Sequence, residues 1–302
     1  MIERMVDVGG VEIAVQDSGG DGPAMVLLHG GGRTAADWGP VLPFLAGAAR
    51  VVAVDFRGHG QSERVASFTY NDGVDDVAGV VKGLELEKPV VAGHSLGGMI
   101  ASVYAAQGGE CRAVVNVDGH GAGHPSQFEG IPEDEVNEAL DRFAVLSEEG
   151  FRGVEDRGDT AWVEAQVDAF RTAVARAGFD PAAAEPIARR GFRSTGDNVW
   201  ERSPRADINV TMYHSLRGLD MMAHYLAITV PAVIIRSTNE GTEDDPEMER
   251  LLAAYRIGLK RQLDEVAAAN SNIELIPFAT GHMVMFDAPA DLGALLTKVA
   301  AS

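Results

Sequence analysis

The amino-acid sequence predicts an α/β fold, a mostly parallel central sheet with helices on both faces that is interrupted once by a helical insertion. Three observations carry that expectation. Short Val-rich runs recur without apolar–polar alternation, as strands covered on both faces require. Stretches of helical character separate them, which is the order of a parallel sheet with crossover helices. Between about Gly119 and Ile228 the strand rhythm stops and helical periodicity takes over. Residues 1–118 and 229–302 are therefore the expected core domain, and residues 119–228 the expected insertion.

Val6–Val8 and Val11–Val15, joined by Gly9-Gly10, read as a hairpin followed by a turn at Gly19-Gly20-Asp21-Gly22. Met25–Leu28 is a short apolar strand that runs into His29-Gly30-Gly31-Gly32. Trp38–Leu45 reads as helical, Arg50–Phe56 as a buried strand and Val74–Leu84 as a helix. Val90–Ala92 is a third buried strand, Leu96–Ala106 the helix after it, and Ala113–Val117 a fourth strand. Inside the insertion, Val136, Leu140 and Phe143 are spaced by four and three, as are Val163, Val167 and Phe170. Asp180-Pro181 starts another helix, with Pro at its first position. The core resumes with the strand Ala232–Ile235, a long helix over Glu247–Ala269, the strand Ile273–Phe278 and a last helix from Pro289.

Composition narrows the function classes. Hydrophobic residues are 46% and charged residues 23%, an ordinary globular balance. The 25 Lys and Arg against 45 Asp and Glu give a net charge of −20, a field that repels phosphate backbones and anionic lipid. Nucleic-acid and membrane partners are not expected, and no apolar run approaches the ~18 residues of a membrane span. Met1–Met5 carries charge and no apolar segment, so no export signal is expected, and the single Cys111 suits a cytoplasmic location. Cys111 cannot form an internal disulfide, and it reads as a buried, inert thiol.

The strongest chemical signal is Gly93-His94-Ser95-Leu96-Gly97-Gly98, directly after one strand and directly before a helix. It fits the nucleophile elbow Gly-x-Ser-x-Gly in its strand–turn–helix setting. Such a turn strains Ser95, lifts its hydroxyl above the sheet and leaves no room for a Cβ at positions 93 and 97. The second signal is His29-Gly30-Gly31-Gly32, whose glycines let backbone approach a substrate closely. The Gly31 and Leu96 N–H groups are the expected oxyanion hole, and His29 is expected to fix the loop. The third is Gly281-His282 after the last strand. A histidine is the natural base for a serine because it titrates near neutrality, and His282 is the leading candidate among eight.

With these motifs in order, the chain resembles the α/β-hydrolase superfamily over nearly its whole length. Asp55-Phe56-Arg57-Gly58-His59-Gly60-Gln61-Ser62 adds a further match. The resemblance implies that this stretch is structural, and that the insertion is a helical cap that covers the site and selects substrate. It also implies a catalytic acid after the strand Ala232–Ile235, in a chain order of Ser, acid, His. Here the sequence departs from the pattern, because Arg236–Pro246 lacks the usual Gly-x-x-Asp spacing. Glu240 falls nearest the expected place, with Asp244 and Asp245 further along. In some relatives the acid follows the preceding strand instead, and that position holds Asp118. The acid thus stays open between Asp118 and Glu240, with Asp244 and Asp245 as further alternatives.

His120, Trp162, Tyr213 and His214 are the insertion's candidate substrate contacts, each equally consistent with packing or surface placement. His120 and His124 are four apart, but the intervening glycine argues against a helix and no third ligand is evident, so no metal site is expected. The expected activity is that of a cofactor-free serine hydrolase of a small, neutral, largely apolar carboxylic ester or lactone. A C–C bond hydrolase or a lyase or cyclase of the same fold is the nearest alternative. A non-catalytic ligand-binding protein is the alternative from another class. Ser95 in the elbow argues against haloalkane dehalogenase and epoxide hydrolase chemistry, which there needs a carboxylate. The oligomeric state is not legible in the sequence.

Overall fold

Eight strands build the main sheet, in the order β1-β2-β4-β3-β5-β6-β10-β11. They are β1 (Ile2–Val8), β2 (Val11–Asp17), β3 (Ala24–Leu28), β4 (Arg50–Val54), β5 (Val90–His94), β6 (Ala113–Val117), β10 (Ala232–Ser237) and β11 (Ile273–Phe278). The computed structural model describes residues 1–121, 124–176, 179–239, 241 and 244–302. β1 and β2 form the antiparallel hairpin and β2 meets β4 antiparallel, while every pair from β4 to β11 is parallel.

The unalternating strands are buried on both faces, as their sequence requires. Val26, Leu28, Val52, Val54 and Val91 enter one core, and Met25, Leu27, Val51, Ala53, Val90 and Ala92 the other. Each large aliphatic side chain so buried contributes about 1.5–3 kcal/mol. Helices supply the opposing surfaces. Of the core helices, α2 (Tyr70–Gly83), α3 (Leu96–Ala106) and α9 (Pro246–Ala269) cover the first face; α1 (Leu42–Leu45), α10 (Val284–Asp287) and α11 (Pro289–Ala301) cover the second. A capping box between Thr69 and Asp72 starts α2. Among the described residues, no helix is long and apolar enough to cross a membrane.

Between β6 and β10 lie α4 (Glu133–Arg152), α5 (Thr160–Arg176), α6 (Pro181–Arg190), α7 (Ala206–Ser215) and α8 (Met221–Ala227). The sequence predicts helices alone here, yet the segment also holds a small sheet of β7 (Arg157–Gly158), β8 (Phe192–Gly196) and β9 (Val199–Arg202), in the order β7-β9-β8. These strands are too short to show a period. Their one local signal is Asp197-Asn198, both at positive φ (45° and 61°) in the tight turn between β8 and β9. The segment is tied to the core through Arg190 and Asp55 (2.7 Å), Ser203 Oγ and the Gly58 carbonyl (3.2 Å), and Thr211 Oγ1 and the Phe68 N–H (3.0 Å).

β3 lies between β4 and β5, so the chain leaves β3 to one side and returns on the other. Crevices for ligands form at such a switch, beyond the carboxyl ends of the strands. The registers bring those ends level: Leu28 opposite Gly93, His94 opposite Val117, and Val117 opposite Ile235. Gly31, Ser95 and Asp118 follow the ends of β3, β5 and β6, and Ser237 is the last residue of β10.

Candidate active site

Ser95 stands at the junction of β5 and α3 with φ 50° and ψ −118°, a backbone conformation that an L-residue adopts only under constraint. The constraint is packing. A Cβ on Gly97 would sit 2.5 Å from the Leu28 carbonyl oxygen, and one on Gly93 would overlap the Gly97 carbonyl. The Ser95 N–H donates to the Val117 carbonyl (2.9 Å), which fastens the turn to β6. Ser95 is half-buried, and its hydroxyl makes no side-chain hydrogen bond among the described residues.

His282 and Asp118 meet, although 164 residues separate them: His282 Nδ1 is 2.7 Å from Asp118 Oδ2. The imidazole is half-exposed, whereas the carboxylate is 11% exposed. Asp118 itself sits at φ 56°, which turns its side chain out of β6, and its N–H donates to the Ile235 carbonyl. Its other oxygen, Oδ1, accepts the Ser237 N–H at 2.8 Å and faces His120 Nε2 at 3.5 Å. Burial disfavours the charge, but the contacts from His120, His282 and the Ser237 N–H outweigh it. The Asp118 carboxyl is held well below the usual carboxylate range.

The loop bearing His282 is held at three points. Gly281 donates its N–H to Asp287 Oδ2 (2.8 Å), and its carbonyl accepts from Ser237 Oγ (2.9 Å). The His282 carbonyl lies 2.8 Å from His94 Nε2, which fixes the His94 proton on that nitrogen, and the two rings meet at a tilt of 47° with centroids 4.7 Å apart. Burial pushes His94 down to about 4, so it serves as a neutral donor. His94, Ser237 and Asp287 were missed as site residues in the sequence. Only the position of His94 inside the elbow motif hinted at a part for it.

The loop after β3 is fastened similarly. His29 is fully buried, with Nδ1 2.7 Å from the Gly30 carbonyl and Nε2 accepting the Phe56 N–H at 3.2 Å. Burial pushes it down to about 3, so it is a neutral loop fastener. Neither the Gly31 N–H nor the Leu96 N–H finds an acceptor among the described residues. A Cβ on Gly31 would lie 2.9 Å from the Met212 methyl of α7, so the inserted segment closes directly over this loop. Asp55 accepts the Ala35 and Gln61 N–H groups and pairs with Arg190, which is fastening work.

The other candidates lie elsewhere. Glu240 is outside the described residues. Asp245 caps α9 by accepting the Glu247 and Met248 N–H groups, and Asp244 is exposed. Trp162 packs edge-on against Phe192, Tyr213 lies among Phe143 and Phe151, and His214 pairs with Glu148 at the surface. His120 is 7% exposed and turned towards Asp118. Cys111 is buried, which pushes its thiol up to about 11.

A cavity of about 470 Å³ opens between the loop after β3 and the inserted segment, lined in part by Gly32, Arg33, Asp37, Asp156, Phe170 and Arg202. Neither Ser95 nor His282 lines it, and neither do Trp162, Tyr213 and His214. Arg33 stacks on Phe170 and forks onto Asp37 (2.6 and 2.9 Å), and Arg202 lies over Trp162 and Phe192.

A serine at a strained elbow, a His–Asp pair and N–H groups without an acceptor on two adjoining loops thus lie beyond the carboxyl ends of the central strands. The known proteins that the chain resembles include several hydrolases. A 2-(acetamidomethylene)succinate hydrolase of Mesorhizobium japonicum is 34% identical over 119 residues, 39% of this chain and 42% of that protein. A 2-hydroxymuconate semialdehyde hydrolase of a Pseudomonas species is 41% identical over 109 residues, 34% of this chain and 38% of that protein. The chain thus matches about two fifths of the length of these relatives. The crystal structure of an E-2-(acetamidomethylene)succinate hydrolase aligns with a TM-score of 0.72 at 21% identity, over 100% of this chain and 99% of that one, and shows the same fold. A model of the alpha/beta hydrolase family matches residues 25–295, and the chain belongs to that family.

Proposed function

We propose that this protein is a serine hydrolase of a small carboxylic ester or lactone, working through an acyl-enzyme on Ser95. The observation that carries the reading is the 2.7 Å pair of His282 and Asp118, with Asp118 directly after β6, whose end is level with that of β5 before the Ser95 elbow. His282 Nε2 takes the Ser95 proton as Oγ attacks the carbonyl carbon, and the ionised Asp118 stabilises the imidazolium that forms. The Gly31 and Leu96 N–H groups hold the tetrahedral oxyanion, each worth about 3–4 kcal/mol. The imidazolium protonates the leaving alkoxide; water, deprotonated by His282, then releases the acid and restores Ser95. Water is the only co-reactant these steps need.

The substrate is proposed to be small, neutral and largely apolar. The cavity beside the glycine loop presents two arginines against two aspartates, with Phe151, Phe170 and Phe192 as apolar wall, and so favours neither ion sign. A second reading, hydrolysis of a C–C bond with the same residues, is favoured by the likeness to 2-hydroxymuconate semialdehyde hydrolase.

The test is intact mass after incubation with a fluorophosphonate, run beside Ser95→Ala and His282→Ala. One adduct on the wild type, absent from both variants, is the expected result and opens a panel of esters, lactones and vinylogous diketones. No adduct on folded wild-type protein overturns the proposal in favour of ligand binding without turnover.

A further inference from the structure

Asp118 is bracketed by two histidines, and only His282 is needed for the proposed chemistry. His120 reaches the same carboxylate from the opposite side, with Nε2 3.5 Å from Oδ1. It is buried, and Nε2 makes no hydrogen bond among the described residues, so the carboxylate is the charge it faces. A nitrogen facing an ionised carboxylate carries its proton, so Nε2 is a donor. The state of Nδ1 is then set by its neighbour, the Tyr225 hydroxyl at 3.4 Å.

Tyr225, on α8, is fully buried and offers two arrangements. Its hydroxyl lies 2.8 Å from the Gly119 carbonyl, which also accepts from Asn116 Nδ2 at 2.9 Å. Asn116 Nδ2 is in turn 3.0 Å from the Tyr225 oxygen. When the tyrosine proton points to His120, the imidazole is neutral and Gly119 keeps the Asn116 bond. When it points to Gly119, the Tyr225 oxygen presents a lone pair to Nδ1–H, and His120 is an imidazolium. Turning one hydroxyl thus gives Nδ1 a partner in both protonation states of a buried ring, where an unpartnered polar group is costly.

We propose that His120 is a positioning residue that gains and loses a proton against Tyr225 and thereby sets the basicity of His282 through their shared carboxylate. A charge on His120 draws on the same Asp118 charge that stabilises the His282 imidazolium, so it makes His282 the weaker base. The groups facing this pair are Asp118 from β6, Tyr225 from α8 with Tyr255 of α9 behind it, and His94 from β5 against the His282 ring. Across one carboxylate a unit charge moves an ionisation by roughly one pH unit in a partly buried site.

The inference rests on the proposed function only in giving His282 the part of base, and its test does not need turnover. Ring-proton NMR follows the His282 titration in wild type, His120→Gln and Tyr225→Phe. The glutamine variant keeps an N–H donor without the charge, and the His282 midpoint is expected to rise by about one pH unit. The phenylalanine variant strands the charged form of His120, and a smaller rise is expected. The pH at which fluorophosphonate labelling of Ser95 reaches half its maximal rate should rise in parallel. Midpoints unmoved in both folded variants, or moved downward, overturn the proposal. Should neither variant fold, the wild type decides: a His282 curve with a second inflection at the His120 step supports it, and a one-step curve with an invariant His120 ring overturns it. Absence of labelling beside a shifted His282 titration would count against the proposed hydrolase and leave this inference standing.

Discussion

Three buried histidines stay neutral in the folded protein, His29 and His94 among them as fasteners of the site's loops, and that makes the fold sensitive to acid. His29, His59 and His94 are buried, and burial pushes them from 6.5 down to about 3, 3 and 4. As pH falls below 6.5 the unfolded chain takes up protons that the folded chain refuses. Their favourable contribution is therefore complete at pH 8 and is lost progressively through pH 6 and 5. At pH 5 each costs about 2 kcal/mol, or about 6 kcal/mol together. Asp76 works in the opposite sense. Burial pushes it up to about 6 despite its pairing with Arg57, and its earlier protonation in the folded state returns about 1 kcal/mol. Self-repulsion from the net charge of −20 also relaxes as pH falls. The net loss of about 5 kcal/mol is still a large share of the 5–15 kcal/mol that holds a typical domain folded. Urea unfolding followed by the fluorescence of the buried Trp38 at pH 8 and pH 5 measures it. His59→Phe, which keeps the ring packing against Phe68, should shrink the difference by about 2 kcal/mol. Unfolding free energies that agree within about 1 kcal/mol at the two pH values would refute the reasoning.

Further outcomes follow from single contacts. Asp118→Asn leaves the fold intact but removes the charge facing His282, and hydrolysis or Ser95 labelling should slow by roughly 10⁴-fold; a loss under tenfold would return the role to Glu240. Gly97→Ala puts a Cβ against the Leu28 carbonyl oxygen and should destabilise by about 1–3 kcal/mol in urea titrations. Gly150→Ala, on an open face of α4, should instead stabilise by about 0.5–1 kcal/mol. Cys111 should stay silent to a disulfide reagent at pH 8 in the folded protein and react as one thiol in urea, since burial both shields it and keeps it protonated.

What could be read from the sequence is what short-range sterics impose. Gly93, Ser95 and Gly97 are legible together because one tight turn dictates all three, and the valine runs because burial on both faces admits little else. The small sheet of β7, β8 and β9 was not legible: two to five residues carry no period, and helical spacing surrounds them. The acid was open for a different reason. Which carboxylate meets His282 depends on strands far apart in the chain, and the pairing of β10 with both β6 and β11 is what carries Asp118 to the imidazole. The same pairing placed Ser237 on that carboxylate, and the pairing of β5 with β6 placed His94 against the His282 loop. Local turn chemistry is written in neighbouring residues, so the sequence alone determined the elbow, the glycine loop and the order of the main sheet's strands and helices. Partners 100 or more residues apart are chosen by sheet register and helix packing, so only the tertiary structure decided what surrounds His282.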